Sequence, residues 1–208
     1  MLSLKERKQR VVKILKALKK LFPRAKCSLY YRNPWELTVA VILSAQCTDR
    51  QVNKITPALF NKYPTLEDYV NASPKEFEKD IHSCGFFRMK TKHILAAAKL
   101  IQKKFAGKVP GTMEELLELP GVARKTANIV LGNAHGVIEG IAVDTHVGRL
   151  ARVLGLSAHT NPDKIEQDLM KLIPKKEWLT VTYRLIEYGR KYCKARRHEH
   201  KQCPLELL

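Results

Sequence analysis

Leu119-Pro120-Gly121-Val122-Ala123-Arg124-Lys125-Thr126-Ala127 is the stretch that decides the fold. Ahead of it, Met113 to Leu119 sets Leu116, Leu117 and Leu119 at helical spacing, behind Thr112 as N-cap with Glu115 three residues on. Pro120 and Gly121 break that helix, and Arg124 opens another that runs to about Leu131. A helix, a tight turn and a second helix leave backbone N–H groups at the second helix start unpaired and pointing outward, which suits a phosphate oxygen. Lys125 falls in the first turn of that helix, where the positive end of the macrodipole disfavours an ammonium. It reads either as one more basic contact to phosphate or as an amine made nucleophilic because its charge is disfavoured.

Outward from the hairpin the periodicity stays helical. Leu4, Val11, Leu15, Leu18 and Phe22 mark an amphipathic helix whose other face is rich in lysine. Asn33-Pro34 gives N-cap and N1 signals for a helix that Val39 to Leu43 makes apolar all round, hence buried. Thr48 or Asp49 caps the next, Ser73-Pro74 starts another, and Met89 to Phe105 is long and amphipathic. Val143-Asp144-Thr145-His146 leads into an apolar-periodic helix, Asn161-Pro162-Asp163 begins one more, and Trp178 to Tyr188 gives the last. No segment alternates as a strand does, so the chain reads as all-α.

With 208 residues the chain can bury a core in one domain or two small ones. Lys and Arg number 38 against 20 Asp and Glu, a formal charge of +18 that predicts a polyanionic partner, nucleic acid first among them. The basic residues concentrate at both ends, from Lys5 to Lys20 and from Arg190 to Lys201. No apolar run reaches the ~18 residues of a membrane span, and no uninterrupted signal-peptide core opens the chain. Five cysteines at irregular positions predict free thiols in a reducing compartment, so a cytoplasmic location is expected.

The hairpin, the Val143-Asp144-Thr145-His146 segment and Ser44-Ala45-Gln46-Cys47-Thr48-Asp49 together resemble the helix-hairpin-helix DNA glycosylases, and specifically their endonuclease III branch. The resemblance runs from about Asn33 to about Cys203. It implies two helical subdomains with the active site in the cleft between them: a six-helix domain over 27–137, holding the helix-hairpin-helix at about 113–132, and a second built from 1–26 and 138–208. The implied activity is that of a bifunctional DNA glycosylase and abasic-site lyase of base excision repair, removing oxidised pyrimidines from duplex DNA, as a monomer. The adenine- or mismatch-specific relatives are the neighbouring enzyme reading, against which Lys125 and the Ser-Ala-Gln-x-Thr-Asp segment count. A non-catalytic DNA-binding protein that uses the hairpin only to grip phosphate is the reading from another class.

Residue by residue, Lys125 matches the lysine that attacks C1′ of the damaged nucleotide, and Asp144 the carboxylate that assists it. Asp144 also suits a plain N-cap, and the two roles are compatible because a cap fixes the carboxylate. His146 reads as orienting neighbours or as structural. Gln46 matches the residue that enters the gap left by a flipped nucleotide, which is needed because C1′ is inaccessible inside the stack; alone it is an ordinary solvent-facing amide. Phe86 falls at the position of an apolar wedge between bases, with a staple onto the core as its rival reading. Gly121, Ala123, Arg124 and Thr126 match the hairpin positions that hold DNA. The family usually has glycine at the Ala123 position, and alanine keeps the backbone N–H available there if φ stays negative.

The carboxyl-terminal segment departs from the family, whose four-iron–four-sulfur cluster takes the spacing C-x6-C-x2-C-x5-C. Counting from Cys193, the second position is His200, the third is Cys203 and the fourth lies past Leu208. Only Cys193 and Cys203 remain as thiolates, whereas such clusters take four. A zinc site from Cys193, Cys203 and His198 or His200 is the irregularly spaced alternative. The expectation is therefore a relative with no metal and no cofactor.

Overall fold

The computed structural model describes residues 3–196, 198–200 and 203–205. Among them lie eleven α-helices and no strand: α1 (Leu4–Leu21), α2 (Pro34–Ser44), α3 (Asp49–Lys62), α4 (Leu66–Asn71), α5 (Pro74–Asp80), α6 (Phe87–Lys104), α7 (Met113–Leu117), α8 (Arg124–Val130), α9 (Thr145–Val153), α10 (Pro162–Leu172) and α11 (Trp178–Lys191). A π-helical turn, Leu131–His135, continues α8. None of these helices is long and apolar enough to cross a membrane. The chain divides into two compact units, Ser28–Val137 and a discontinuous one made of Met1–Cys27 with Ile138–Leu208.

In the continuous unit α2 is the centre. Asn33 caps it by accepting the Glu36 N–H at 2.9 Å, and Pro34 sits where a missing N–H costs nothing. Every residue from Trp35 to Leu43 is buried, and α3, α6 and α8 pack around it. Each buried Leu or Ile there contributes roughly 1.5–3 kcal/mol. Trp35, Tyr63, Tyr69 and Phe77 form an aromatic cluster with ring centroids 5.2–5.7 Å apart, which joins α2 to α4 and α5.

In the discontinuous unit α1 begins with a capping box: Ser3 Oγ accepts the Glu6 N–H while Glu6 Oε2 accepts the Ser3 N–H. Val11, Ile14 and Leu18 form its buried stripe and pack with α10 and α11. α9 and α11 approach closely at Gly189, where an added Cβ would lie 2.8 Å from His146 Nδ1. That contact makes His146 part of the packing of this unit.

Candidate functional site

The hairpin forms as its sequence requires. Thr112 Oγ1 accepts the Glu115 N–H at 3.3 Å to start α7, and the Val122 N–H donates to the Leu119 carbonyl at 3.0 Å to close the turn. Gly121 has φ +82, the left-handed region that side chains avoid. A Cβ there would also stand 2.8 Å from His93 Cβ, a short, rigid part of its side chain. Gly121→Ala should therefore destabilise the protein by about 2–4 kcal/mol, combining left-handed strain with overpacking, which a thermal or urea melt would read directly. Ala123 caps α8 with φ −92, a conformation alanine adopts without cost, so the backbone N–H keeps its place without glycine. Arg124 and Lys125 are the first two residues of α8 and both are partly exposed, whereas the Thr126 side chain is buried.

An open groove of about 430 Å³ runs over the continuous unit, lined among others by Gln46, Phe86, Met89, Gly121, Val122 and Ala123. Four residues nominated from sequence thus meet in one place from three separated segments. Gln46 is exposed with φ +52, and Phe86 is 66% exposed with φ +58, so Phe86 is no staple onto the core. They are two of only three non-glycine residues with positive φ among the described residues. Such backbone costs about 1–2 kcal/mol per residue and persists where the surroundings fix it.

Part of what fixes it is Lys90, a residue that sequence reasoning passed over because its neighbours read as an ordinary amphipathic helix. Lys90 is 4% exposed, and its Nζ donates to the Leu43 carbonyl at 2.8 Å near the end of α2. An ammonium suits a helix C-terminus, and burial pushes its pKa down. The Lys90 N–H also bonds the Phe86 carbonyl at 3.1 Å, so one residue braces the segments carrying Gln46 and Phe86. Beside it Cys47 Sγ and Cys84 Sγ lie 3.6 Å apart, and burial together with the Cys47 sulfur pushes the Cys84 thiol pKa up. Cys84 is accordingly a packed, unreactive thiol.

Asp144 belongs to the discontinuous unit and is the N-cap of α9. Its Oδ1 accepts the Val147 N–H at 2.8 Å, and its carbonyl accepts the Gly148 N–H at 2.8 Å. The capping role read from sequence is thus realised, with the carboxylate partly exposed.

The chain that follows α11 folds back on itself. The Leu205 N–H donates to the Tyr188 hydroxyl at 3.1 Å, Leu205 and Cys203 are buried, and Cys193 lies with them in the core of this unit. That return brings Cys193, His198, His200 and Cys203 together with one ligand atom from each within 4.8 Å of the others.

Residues 39–175 match the HhH-GPD superfamily of base excision DNA repair proteins. The endonuclease III of Synechocystis sp. is 52% identical to this chain over 202 residues, 97% of this chain and 92% of its own length. The chain belongs to the endonuclease III family. An endonuclease III solved in a non-covalent complex with DNA is similar with a TM-score of 0.92 at 45% identity, covering 99% of this chain and 94% of its own. An endonuclease III–DNA covalent intermediate, solved in a trapped state, matches to the same extent.

Membership of the endonuclease III family, together with the group at Cys193, His198, His200 and Cys203, corrects the expectation of no metal and no cofactor. Along a four-cysteine pattern, His200 stands where the second cysteine would be. The return of the chain onto Tyr188 instead supplies two imidazoles beside the two thiols, a donor set of ordinary metal-binding chemistry.

Proposed function

We propose that this member of the endonuclease III family is a bifunctional DNA glycosylase and abasic-site lyase that removes oxidised pyrimidines from duplex DNA. The observation that carries the reading is the groove of the continuous unit: the hairpin that precedes Lys125 lines it together with Gln46 and Phe86, both held in left-handed backbone. A surface with an exposed amide and an exposed aromatic suits a duplex opened by extrusion of one nucleotide. Backbone N–H groups of the hairpin at Gly121, Ala123 and Arg124 take the phosphates, and the formal charge of +18 supplies the sequence-independent attraction. Thr126 contributes through its main chain, since its side chain is buried.

In this reading the neutral Lys125 amine attacks C1′, a C–N bond forms, and the damaged base leaves with the glycosidic electron pair. Loss of the amine proton and opening of the sugar ring give an imine between Lys125 and C1′. Removal of a C2′ proton then expels the 3′ phosphate, and water releases Lys125. Asp144 stabilises positive charge developing on the sugar and handles protons at the amine. The reading is of a family member without the four-iron cluster, because two of the four donors are imidazoles.

The test uses duplex DNA carrying thymine glycol or an abasic site, incubated with the protein in the presence of borohydride, which reduces the imine to a stable amine. A covalent protein–DNA complex that survives denaturing electrophoresis is expected with both substrates. Binding without trapping would overturn the lyase and leave a phosphate-gripping module. Trapping on the abasic site alone would overturn the glycosylase half.

A further inference from the structure

We infer that Cys193, His198, His200 and Cys203 hold a single zinc ion, in place of the family's four-iron cluster. The inference is independent of the catalytic reading. A tetrahedral zinc with sulfur at about 2.3 Å and nitrogen at 2.0–2.1 Å sets its ligand atoms about 3.3–3.8 Å apart. His198 Nε2 lies 3.3 Å from Cys203 Sγ, and Cys193 Sγ lies 3.7 Å from His200 Nδ1. All four donors fall within 4.8 Å of one another, so adjustments of under about an ångström close the shell. A four-iron cube carries one thiolate at each iron and needs its donors spread around the whole cluster. A two-iron centre with mixed ligands places both sulfurs on one iron and both nitrogens on the other. Here each sulfur is paired with a nitrogen, the pattern of donors around one ion.

The surroundings orient these donors. The His198 Nδ1 lies 2.8 Å from the Arg196 carbonyl, which fixes Nδ1 as the protonated nitrogen and turns Nε2, with its lone pair, toward Cys203. Arg149, from α9, donates to Cys193 Sγ at 3.4 Å and to the Cys193 carbonyl at 2.6 Å. These two bonds fix the position of the Cys193 sulfur within the group. Cys193 and Cys203 are 1% and 3% exposed, and four protein donors leave no position for water or substrate. The ion is therefore structural: it staples the returning chain to the end of α11 and holds Lys194 and Arg196 outward, where both are exposed.

The test is the metal content of the full chain, produced with zinc and iron both supplied and purified without chelator or histidine tag. Zinc at about one equivalent is expected, with iron and acid-labile sulfide below about a tenth and no brown colour. Iron with sulfide, or less than about a tenth of an equivalent of any metal, would overturn the inference. Cys203→Ser and His198→Ala should each lower bound zinc at least about fivefold, while His159→Ala, in the same unit but outside the group, leaves it unchanged. Equal retention in all three would overturn it. Because the variants could unfold, the metal-stripped wild type is also titrated with cobalt(II). One equivalent should give the absorption of a tetrahedral thiolate site, and saturation at any other ratio, or an octahedral spectrum, counts against the site. A strong chelator should lower the melting temperature of the wild type.

Discussion

Lys125→Ala should abolish borohydride-trapped complex with abasic DNA and slow strand cleavage by at least about 10³-fold, because no other amine then takes the place of the nucleophile. Affinity for the same duplex should fall less than about tenfold, since one basic contact among many is removed. Folding should be untouched. Lys125 is the second residue of α8, is partly exposed, and sits where a positive charge is unfavourable, so alanine there is neutral or slightly stabilising. The three readouts separate the two readings of this residue. A phosphate contact would lose affinity and keep trapping in proportion to the DNA bound; a nucleophile loses trapping while binding persists. Retention of the trapped complex would assign the chemistry to another amine.

Asp144→Asn should lower base removal by roughly 10²–10⁴-fold while leaving the protein folded. Asparagine caps helices about as well as aspartate, so its side-chain oxygen can keep the 2.8 Å bond from the Val147 N–H. Only the charge is lost, which costs roughly 0.3–1 kcal/mol at the start of α9. Asp144→Ala removes cap and charge together and should cost about 1 kcal/mol more. Measuring melting temperature and single-turnover base release on both variants divides the cap from the chemistry. If Asp144→Asn releases base within about threefold of the wild-type rate, Asp144 is a cap and no more.

The helical frame was legible because its signals are local. Asn33-Pro34 and Asn161-Pro162 announce their helices, and both asparagines accept the N–H bonds expected of caps. The hairpin was legible for the same reason, since Pro120 and Gly121 interrupt a periodic run. What stayed hidden depends on segments distant in sequence. Nothing local marks Phe86 as left-handed, because phenylalanine is not a residue that seeks positive φ; the bond from Lys90 to Leu43 joins positions 47 apart. The metal group was obscured differently. Spacing counted along one four-cysteine pattern leaves out His198, and the zinc alternative takes only one of the two histidines, whereas the fold brings both to the two cysteines. Asp144 is legible as the cap of α9 because the apolar periodicity begins directly after it.

The discontinuity of one unit bears on the order in which the protein is made. Synthesis delivers α1 before the continuous unit, yet the helices that bury Val11, Ile14 and Leu18 are α10 and α11, which emerge after it. The continuous unit has all its sequence by Val137 and can fold as a block in the meantime. For that whole interval α1 carries an apolar stripe with nothing to cover it, an aggregation hazard at the ribosome. Its outer face answers the hazard: Lys5, Lys8, Lys13, Lys16, Lys19 and Lys20 are all exposed and repel other nascent chains of the same kind. The lysines that would later draw the protein to DNA thus first keep α1 in solution until α10 and α11 arrive.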